Sequence, residues 1–401
     1  MEQNALKDKI RGCLMAGAAG DALGYEVEFM SRRAILSRFG ANGITKFALD
    51  GNGKALISDD TQMTLFTANG LLMGLTRGYM RGVGGCPEKY VDGAYIDWYY
   101  TQMGIKREVR VDDWHCTWLR DLPEMAKLRA PGNTCLSACE SMLRGAEVVN
   151  YSKGCGGIMR VSPMALLNAG CASRSENAYS LEELAEAGGE IAECTHKHPL
   201  GFLPASLLTV LLHKVVPMSA KQVQEEIDQI VAETIDCLDL IYKDKYAADK
   251  RYLRELTEKA VQLAHSDISD ADAIRQLGEG WVAEETWAIA LYSAIRHIES
   301  VEDAIIASVN HDGDSDSTGS VCGNIMGAIY GYEHIKECRL FCPEGRVLED
   351  TLELSEIILA LADDLSTGCI ISECAPCDTP EKIQWYERYC EMMPAGLSKK
   401  V

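Results

Sequence analysis

The sequence predicts an all-α fold, a compact bundle of helices, and two observations carry that expectation. Five long segments repeat apolar residues at spacings of three and four, the period of an amphipathic helix. Alternating strand-type runs are hard to find, and the turn signals that close β-hairpins are sparse. The periodic segments are 181–194 (LEELAEAGGEIAEC), 221–243, 251–266, 284–300 and 348–365. Local signals start further helices between them. Ser58 is a good N-cap, and Asp59 and Asp60 then fall in the first turn, where carboxylates complement the positive end of the helix dipole. The run Thr195-His196-Lys197-His198-Pro199 opens another helix. Gly319, Gly323, Gly327 and Gly331 recur every fourth residue, a stripe that lets a second helix approach closely. No fixed-period repeat or Ser/Gly/Pro linker divides the chain. One domain over residues 1–365 is therefore expected, with 366–401 as a C-terminal extension packed on it.

Composition narrows the class. The chain has 401 residues, 47% of them hydrophobic and 25% charged, as in soluble globular proteins. No run approaches the roughly 18 apolar residues of a membrane span, and the charged, broken N-terminal stretch is no signal peptide. These features imply a cytoplasmic protein without a membrane partner. A formal net charge of −21 argues against nucleic acid as a partner, because that affinity comes from Lys and Arg neutralising phosphates. An anionic substrate would need local help, from bound cations or helix N-termini. The 16 cysteines are scattered and read as reduced core thiols. Cys374 and Cys377 form a lone CxxC with no second ligand pair nearby, which favours a structural role over zinc.

Two aspartate clusters stand out as chemistry. Ser58-Asp59-Asp60-Thr61 read alone is a helix start whose acids complement the dipole. His311-Asp312-Gly313-Asp314-Ser315-Asp316-Ser317 is denser, an array of hard oxygen donors suited to Mg²⁺, Mn²⁺ or Ca²⁺. It is no EF-hand. Counted from Asp312, Ser317 stands where glycine is needed and Gly323 where the final Glu belongs. These aspartates precede a tightly packed helix, and buried carboxylates need partners that a metal would supply. The Gly154–Pro163 stretch (GCGGIMRVSP) could bring backbone N–H groups to a phosphate or sugar, or be an ordinary loop. His196 and His198 suit capping or core hydrogen bonds better than zinc. Glu26 and Glu28 follow a glycine-rich helix end and face either a cleft or solvent.

Taken in this order, the segments resemble the ADP-ribosylglycohydrolase family. The matching stretches are AGAAGDALGYEVEF, SDDTQM, GCGGIMRVSP, the Thr195–Pro199 segment, GWVAEETWAIALYSA and VNHDGDSDSTGSVCGNIMGA, from roughly residue 9 to residue 365. SDDT and GDSDS at this separation are the specific part. The resemblance implies an orthogonal all-α bundle with two divalent cations, Mg²⁺ or Mn²⁺, at the bottom of a cleft. It implies Ser58, Asp59, Asp60, Asp314, Asp316 and Ser317 as metal ligands, Ser317 keeping the hydroxyl of a threonine found in many relatives. It implies Glu28 as the family's mobile glutamate beside the scissile bond, with Glu26 as a rival, and Asp60 and Asp316 as catalytic partners. Asp21, Gly154, Cys155, Gly156, Gly157, Ile158, Met159, Arg160 and His196 would contact substrate, the glycine loop wrapping the diphosphate and distal ribose. Cys155 replaces an asparagine often seen between those glycines. The implied reaction is hydrolysis of the bond between ADP-ribose and an acceptor, which in this family is arginine, serine, an O-acetyl group or another modified target.

Two other readings compete. His311-Asp312 invites an HD-type metal-dependent phosphohydrolase, with His196 as the tempting partner. A catalytically inactive structural relative is the other, against which stands the presence of every expected ligand oxygen. Residues 82–129, with Trp98, Trp114 and Trp118, are a candidate cleft wall or ordinary aromatic core.

Overall fold

The protein is described here by a computed structural model covering residues 3–82, 86–105, 117–174, 178–371 and 379–390. Helices dominate the chain, beginning with α1 (Gln3–Tyr25), α2 (Arg32–Phe39), α3 (Asp59–Arg81), α4 (Val91–Gln102), α5 (Asn133–Leu143) and α6 (Ser162–Ser173). There follow α7 (Leu181–Glu193), α8 (Pro199–Val215), α9 (Ala220–Tyr242), α10 (Ala247–Ala264), α11 (Asp270–Leu277) and α12 (Ala283–Arg296). The last are α13 (Val301–Val309), α14 (Ser315–Tyr330), α15 (Tyr332–Ile335), α16 (Leu348–Thr351), α17 (Ser355–Thr367) and α18 (Pro380–Tyr389). Among the described residues there is no strand, only the isolated bridges Ala55–Leu352 and Gly154–Val282. The all-α expectation holds. No described helix is long and apolar enough to cross a membrane.

Local chemistry explains most of the boundaries. Ser180 and Ser219 start α7 and α9 with full capping boxes, closed by Glu183 and Gln222. The periodic segments 181–194, 221–243 and 284–300 become α7, α9 and α12 almost residue for residue. Segment 348–365 does not stay one helix. It breaks at Leu352–Leu354, where Glu353 N–H donates to the Ala55 carbonyl at 3.0 Å and Leu354 has a φ of 58°. A tertiary backbone pairing there outweighs helical periodicity. Gly331 also leaves the helix expected for it: with φ of 83° it is the C-cap of α14.

The centre of the fold is the antiparallel pair α1 and α14. A methyl group built on Gly12 would sit 2.5 Å from the Gly327 carbonyl oxygen, and one on Gly319 2.5 Å from that of Gly20. Gly323 meets Ala16, and Gly24 meets Ser315, in the same way. Backbones touch directly along the whole seam. This brings the C-terminal end of α1 level with the N-terminal end of α14, and both are buried. At the far end of the chain, α18 packs on α3, with Trp385 Nε1 donating to Thr76 Oγ1 at 2.9 Å, and bonds to α17, with Tyr389 OH donating to Asp364 at 2.6 Å.

The seam leaves no room for a side chain. Gly12→Ala should destabilise the protein by about 1–3 kcal/mol, despite alanine's better helix propensity. Gly51→Ala, where nothing lies within 4 Å, should be nearly silent. Equal midpoints in urea for both variants would show that the helices separate freely.

Candidate active site

The site is assembled from helix ends. Asp21, fully buried near the end of α1, accepts hydrogen bonds from Ser58 N–H at 3.0 Å, Thr61 N–H at 3.1 Å and the Thr61 hydroxyl. The first N–H groups of a helix have no partner within it, so this carboxylate fastens the start of α3 to α1. The Ser58 hydroxyl accepts from Asp60 N–H at 3.1 Å, as an N-cap should. Asp314 caps α14, its carboxylate accepting from Ser317 N–H at 3.2 Å, while Asp316 accepts from the same N–H at 2.9 Å. The loop 279–283 joins the pieces: Asp314 N–H donates to Glu279 O at 2.8 Å, and Cys155 N–H to Trp281 O at 3.3 Å.

These ends open on one cavity of about 340 Å³. Asp59, Asp60, Asp314, Asp316 and Ser317 line it, together with Glu28 from the turn after α1. Gly154, Cys155, Gly156, Met159 and His196 form another part of its lining, and Ala130–Cys135 a further wall. Gly132 N–H donates to Asp59 at 3.3 Å, which fixes that wall against α3. Among the described residues, no Lys or Arg side chain lines it.

The electrostatics are correspondingly lopsided. Burial first, and repulsion from Asp316 next, hold Asp59, Asp60 and Asp314 well above the usual carboxylate range. Asp21 is raised to about 7 and Glu28 to about 10 by the same two causes. Asp60 Oδ2 and Glu28 Oε2 are buried without any hydrogen-bond partner, a costly state for a charged oxygen. As they stand, no three His, Cys, Asp or Glu side chains among the described residues converge tightly enough to enclose an ion. His196 is held neutral, lowered to about 3 by burial and by Arg160, and its Nδ1 pairs with Thr195 Oγ1 at 2.8 Å.

Comparison with known proteins identifies this arrangement of helices and loops. The family model described as ADP-ribosylglycohydrolase matches residues 2–371. The chain belongs to the ADP-ribosylglycohydrolase family. It is 23% identical to the ADP-ribosyl-[dinitrogen reductase] glycohydrolase of Rhodospirillum rubrum over 368 residues, covering 89% of this chain and 98% of that one. It is 24% identical to the Bos taurus ADP-ribosylhydrolase ARH3 over 225 residues, which is 51% of this chain and 57% of the relative. A solved structure titled an ADP-ribosylglycohydrolase-related protein complex aligns over 91% of the chain with a TM-score of 0.59 at 21% identity, a likeness of fold.

Within this family framework the structure sorts the residues singled out in the sequence. Glu28, Asp59, Asp60, Asp314, Asp316, Ser317, Gly154, Cys155, Gly156, Met159 and His196 meet at the cavity. Asp21 and Ser58 stand behind its wall, occupied with the start of α3. Gly157 lies against the Gly201 carbonyl and Ala192, and Ile158 is fully buried, so both pack the glycine loop onto its neighbours. Arg160, expected to contact substrate, is turned into the core. It donates to Thr195 Oγ1 at 2.5 Å and Ile191 O at 3.3 Å, and stacks over Tyr95 at 4.2 Å. Of the two glutamates, Glu26 faces outward in an ion pair with Arg38.

The competing motifs lose their geometry. His311 is buried with Nε2 2.9 Å from Thr318 Oγ1, and Asp312 accepts from Arg32 N–H at 2.7 Å; neither lines the cavity. His198 caps α8 through Leu200 N–H at 2.9 Å. Trp98 is core, bonded to Gln62 at 3.2 Å, and Trp118 lies under Arg388; Trp114, Cys374 and Cys377 lie outside the described residues. The wall from 130–135 and the stacked pair Phe29–Trp281, 5.9 Å between centroids, went unread in the sequence. Phe29 follows Glu28 directly, and Trp281 lies in the matched GWVAEETW stretch, which was the available signal.

Glu28 gives the metal-free protein a defined pH response. Its folded pKa near 10 exceeds the ordinary 4.5, so the folded state holds a proton that the unfolded chain releases, and stability falls as pH rises between those values. Glu28→Gln should abolish that component. In the EDTA-treated protein its stability advantage over wild type should be larger at pH 9 than at pH 5 in urea titrations; a constant difference would mean that Glu28 is solvated.

Proposed function

We propose that this protein is a metal-dependent hydrolase that cleaves the glycosidic bond between ADP-ribose and a modified acceptor, either a protein side chain or a small molecule. One observation carries the reading: the carboxylates at the starts of α3 and α14, distant in sequence, line a single cavity to which the described residues bring no Lys or Arg side chain. Those carboxylates fit divalent cations in chemistry and in charge. Buried acids with unpartnered oxygens at Asp60 and Glu28 are relieved by positive charge. Asp59, Asp60, Asp314 and Asp316, with the hydroxyl of Ser317, are the cavity groups that would hold two ions, Mg²⁺ or Mn²⁺ by donor type, while Ser58 caps α3 behind them. When bound, such ions hold ribose hydroxyls and activate or orient a water.

The chain's own residues supply the rest. Departure of the acceptor builds positive, oxocarbenium-like charge at the anomeric carbon, and Asp60 and Asp316 stabilise it electrostatically. Glu28, which lines the same cavity, serves in this reading as general acid or base for the leaving group or the attacking water. Gly154–Gly156 offer close backbone approach to the diphosphate, with neutral His196 beside them. The opened starts of α3 and α14 add partial positive charge for an anionic ligand.

The test follows free ADP-ribose released by EDTA-stripped protein from arginine-linked, serine-linked and O-acetyl substrates, with and without added Mg²⁺ or Mn²⁺. Release on at least one substrate that needs metal, and its loss in Asp314→Ala/Asp316→Ala, is expected. No release from any substrate, together with no metal binding by calorimetry, would leave an inactive structural relative. Glu28→Gln should lower kcat by about 100-fold or more while ADP-ribose affinity stays within about threefold (on the order of 0.6 kcal/mol). Unchanged turnover removes Glu28 from the mechanism.

A further inference from the structure

Cys155 brings sulfur into a cavity otherwise rich in oxygen donors. Its Sγ lies 2.8 Å from Asp314 Oδ2, and Ser317 is also within its hydrogen-bonding reach. The backbone that carries the thiol is anchored, since Cys155 N–H is bonded to Trp281 O and Gly154 is bridged to Val282. A second feature of the same cavity points to a cation. Asp60 is 3% exposed and Glu28 7% exposed; both line this cavity, and each carries a buried oxygen without a hydrogen-bond partner.

Bond lengths bring the sulfur within range. A cation bound at about 2.1 Å from oxygen and about 2.3 Å from thiolate sulfur, at a tetrahedral angle, separates the two atoms by about 3.6 Å. The Cys155–Asp314 pair reaches that separation by opening less than about 1 Å. We propose that Cys155 is itself a ligand of the metal centre, sharing one cation with Asp314, so that this site favours thiophilic divalent ions such as Zn²⁺ or Co²⁺ over Mg²⁺. The inference rests on the metal-dependent reading given above. The cation takes the place of the proton now held between Sγ and Oδ2, and that proton leaves to water; coordinated thiols are deprotonated outright. Soft sulfur then sets the preference among metals that the oxygen donors alone would leave to hard cations.

Cobalt separates the inference from the reading beneath it. Full-length stripped protein is titrated with Co²⁺, whose visible d–d bands report bound metal whatever its ligands. A near-ultraviolet sulfur-to-cobalt charge-transfer band reports thiolate ligation. Wild type should show both. Cys155→Ser, which keeps a hydroxyl donor for Asp314, should retain the d–d bands and lose the charge-transfer band. Its Zn²⁺ affinity should fall by about tenfold or more, with Mg²⁺ affinity little changed. Cadmium NMR of the wild-type protein gives the same answer from the metal's chemical shift if Cys155→Ser does not fold. Bound cobalt with no charge-transfer band, or a band unchanged in Cys155→Ser, overturns the inference and leaves the metal centre standing. No cobalt binding at all overturns both.

Discussion

The direct backbone contact between α1 and α14 is the constraint on which the rest of the structure depends. Glycine at every fourth position removes the side chains that would hold two helices 8–10 Å apart. The antiparallel pair then fixes not only a distance but a level: Gly20 lies against Gly319 and Gly24 against Ser315. Asp21 and Asp316 therefore share one region, near enough for the charge of Asp316 to raise Asp21. Asp21 in turn holds the first N–H groups of α3. Three helix ends are thereby fastened to one another through a glycine seam and one buried carboxylate.

What they enclose is unfavourable on its own. Among the described residues, five carboxylates and no Lys or Arg line the cavity, and burial raises each of the five. Proteins are stable by only about 5–15 kcal/mol, so an uncompensated cluster of this kind is a substantial load. The surrounding fold meets part of it by local means. Ser58 and Asp314 serve as caps, Gly132 N–H reaches Asp59, and Ser317 N–H reaches both Asp314 and Asp316. The oxygens left over, on Asp60 and Glu28, are where the local rule of satisfied polar groups is broken. Sites of that kind are where function and stability diverge.

The glycine loop shows how the same fold distinguishes contact residues from supporting ones. Gly154, Cys155 and Gly156 face the cavity, while Gly157, Ile158 and Arg160 face inward. Arg160 is fully buried. It is held by Thr195 and Ile191 O, the sulfurs of Met63 and Cys135, and the face of Tyr95. That network ties the loop to α7 and orients His196 through Thr195. A charged residue in a motif thus serves position rather than the ligand.

Much of this was legible in sequence because it is written in local rules. Apolar period placed α7, α9 and α12, Ser58 announced α3, and the four-residue glycine spacing announced a close helix contact. The oxygen-donor array at Asp312–Ser317 could be read from its residue types, while Asp59, Asp60 and Glu28 were named through the family resemblance, with Glu26 as the rival of Glu28. The break at Leu352–Leu354 was not legible, because it is decided by a backbone pairing with Ala55, some 300 residues away. Nor were the inward turn of Arg160, the choice of Glu28 over Glu26, or the wall at 130–135. Each depends on which neighbour occupies the adjoining space, and periodicity carries no information about a neighbour. The sequence by itself determined which helices form and which acids they carry. Only the tertiary structure decided which of those acids face one another, because that follows from the level at which two glycine-lined backbones touch.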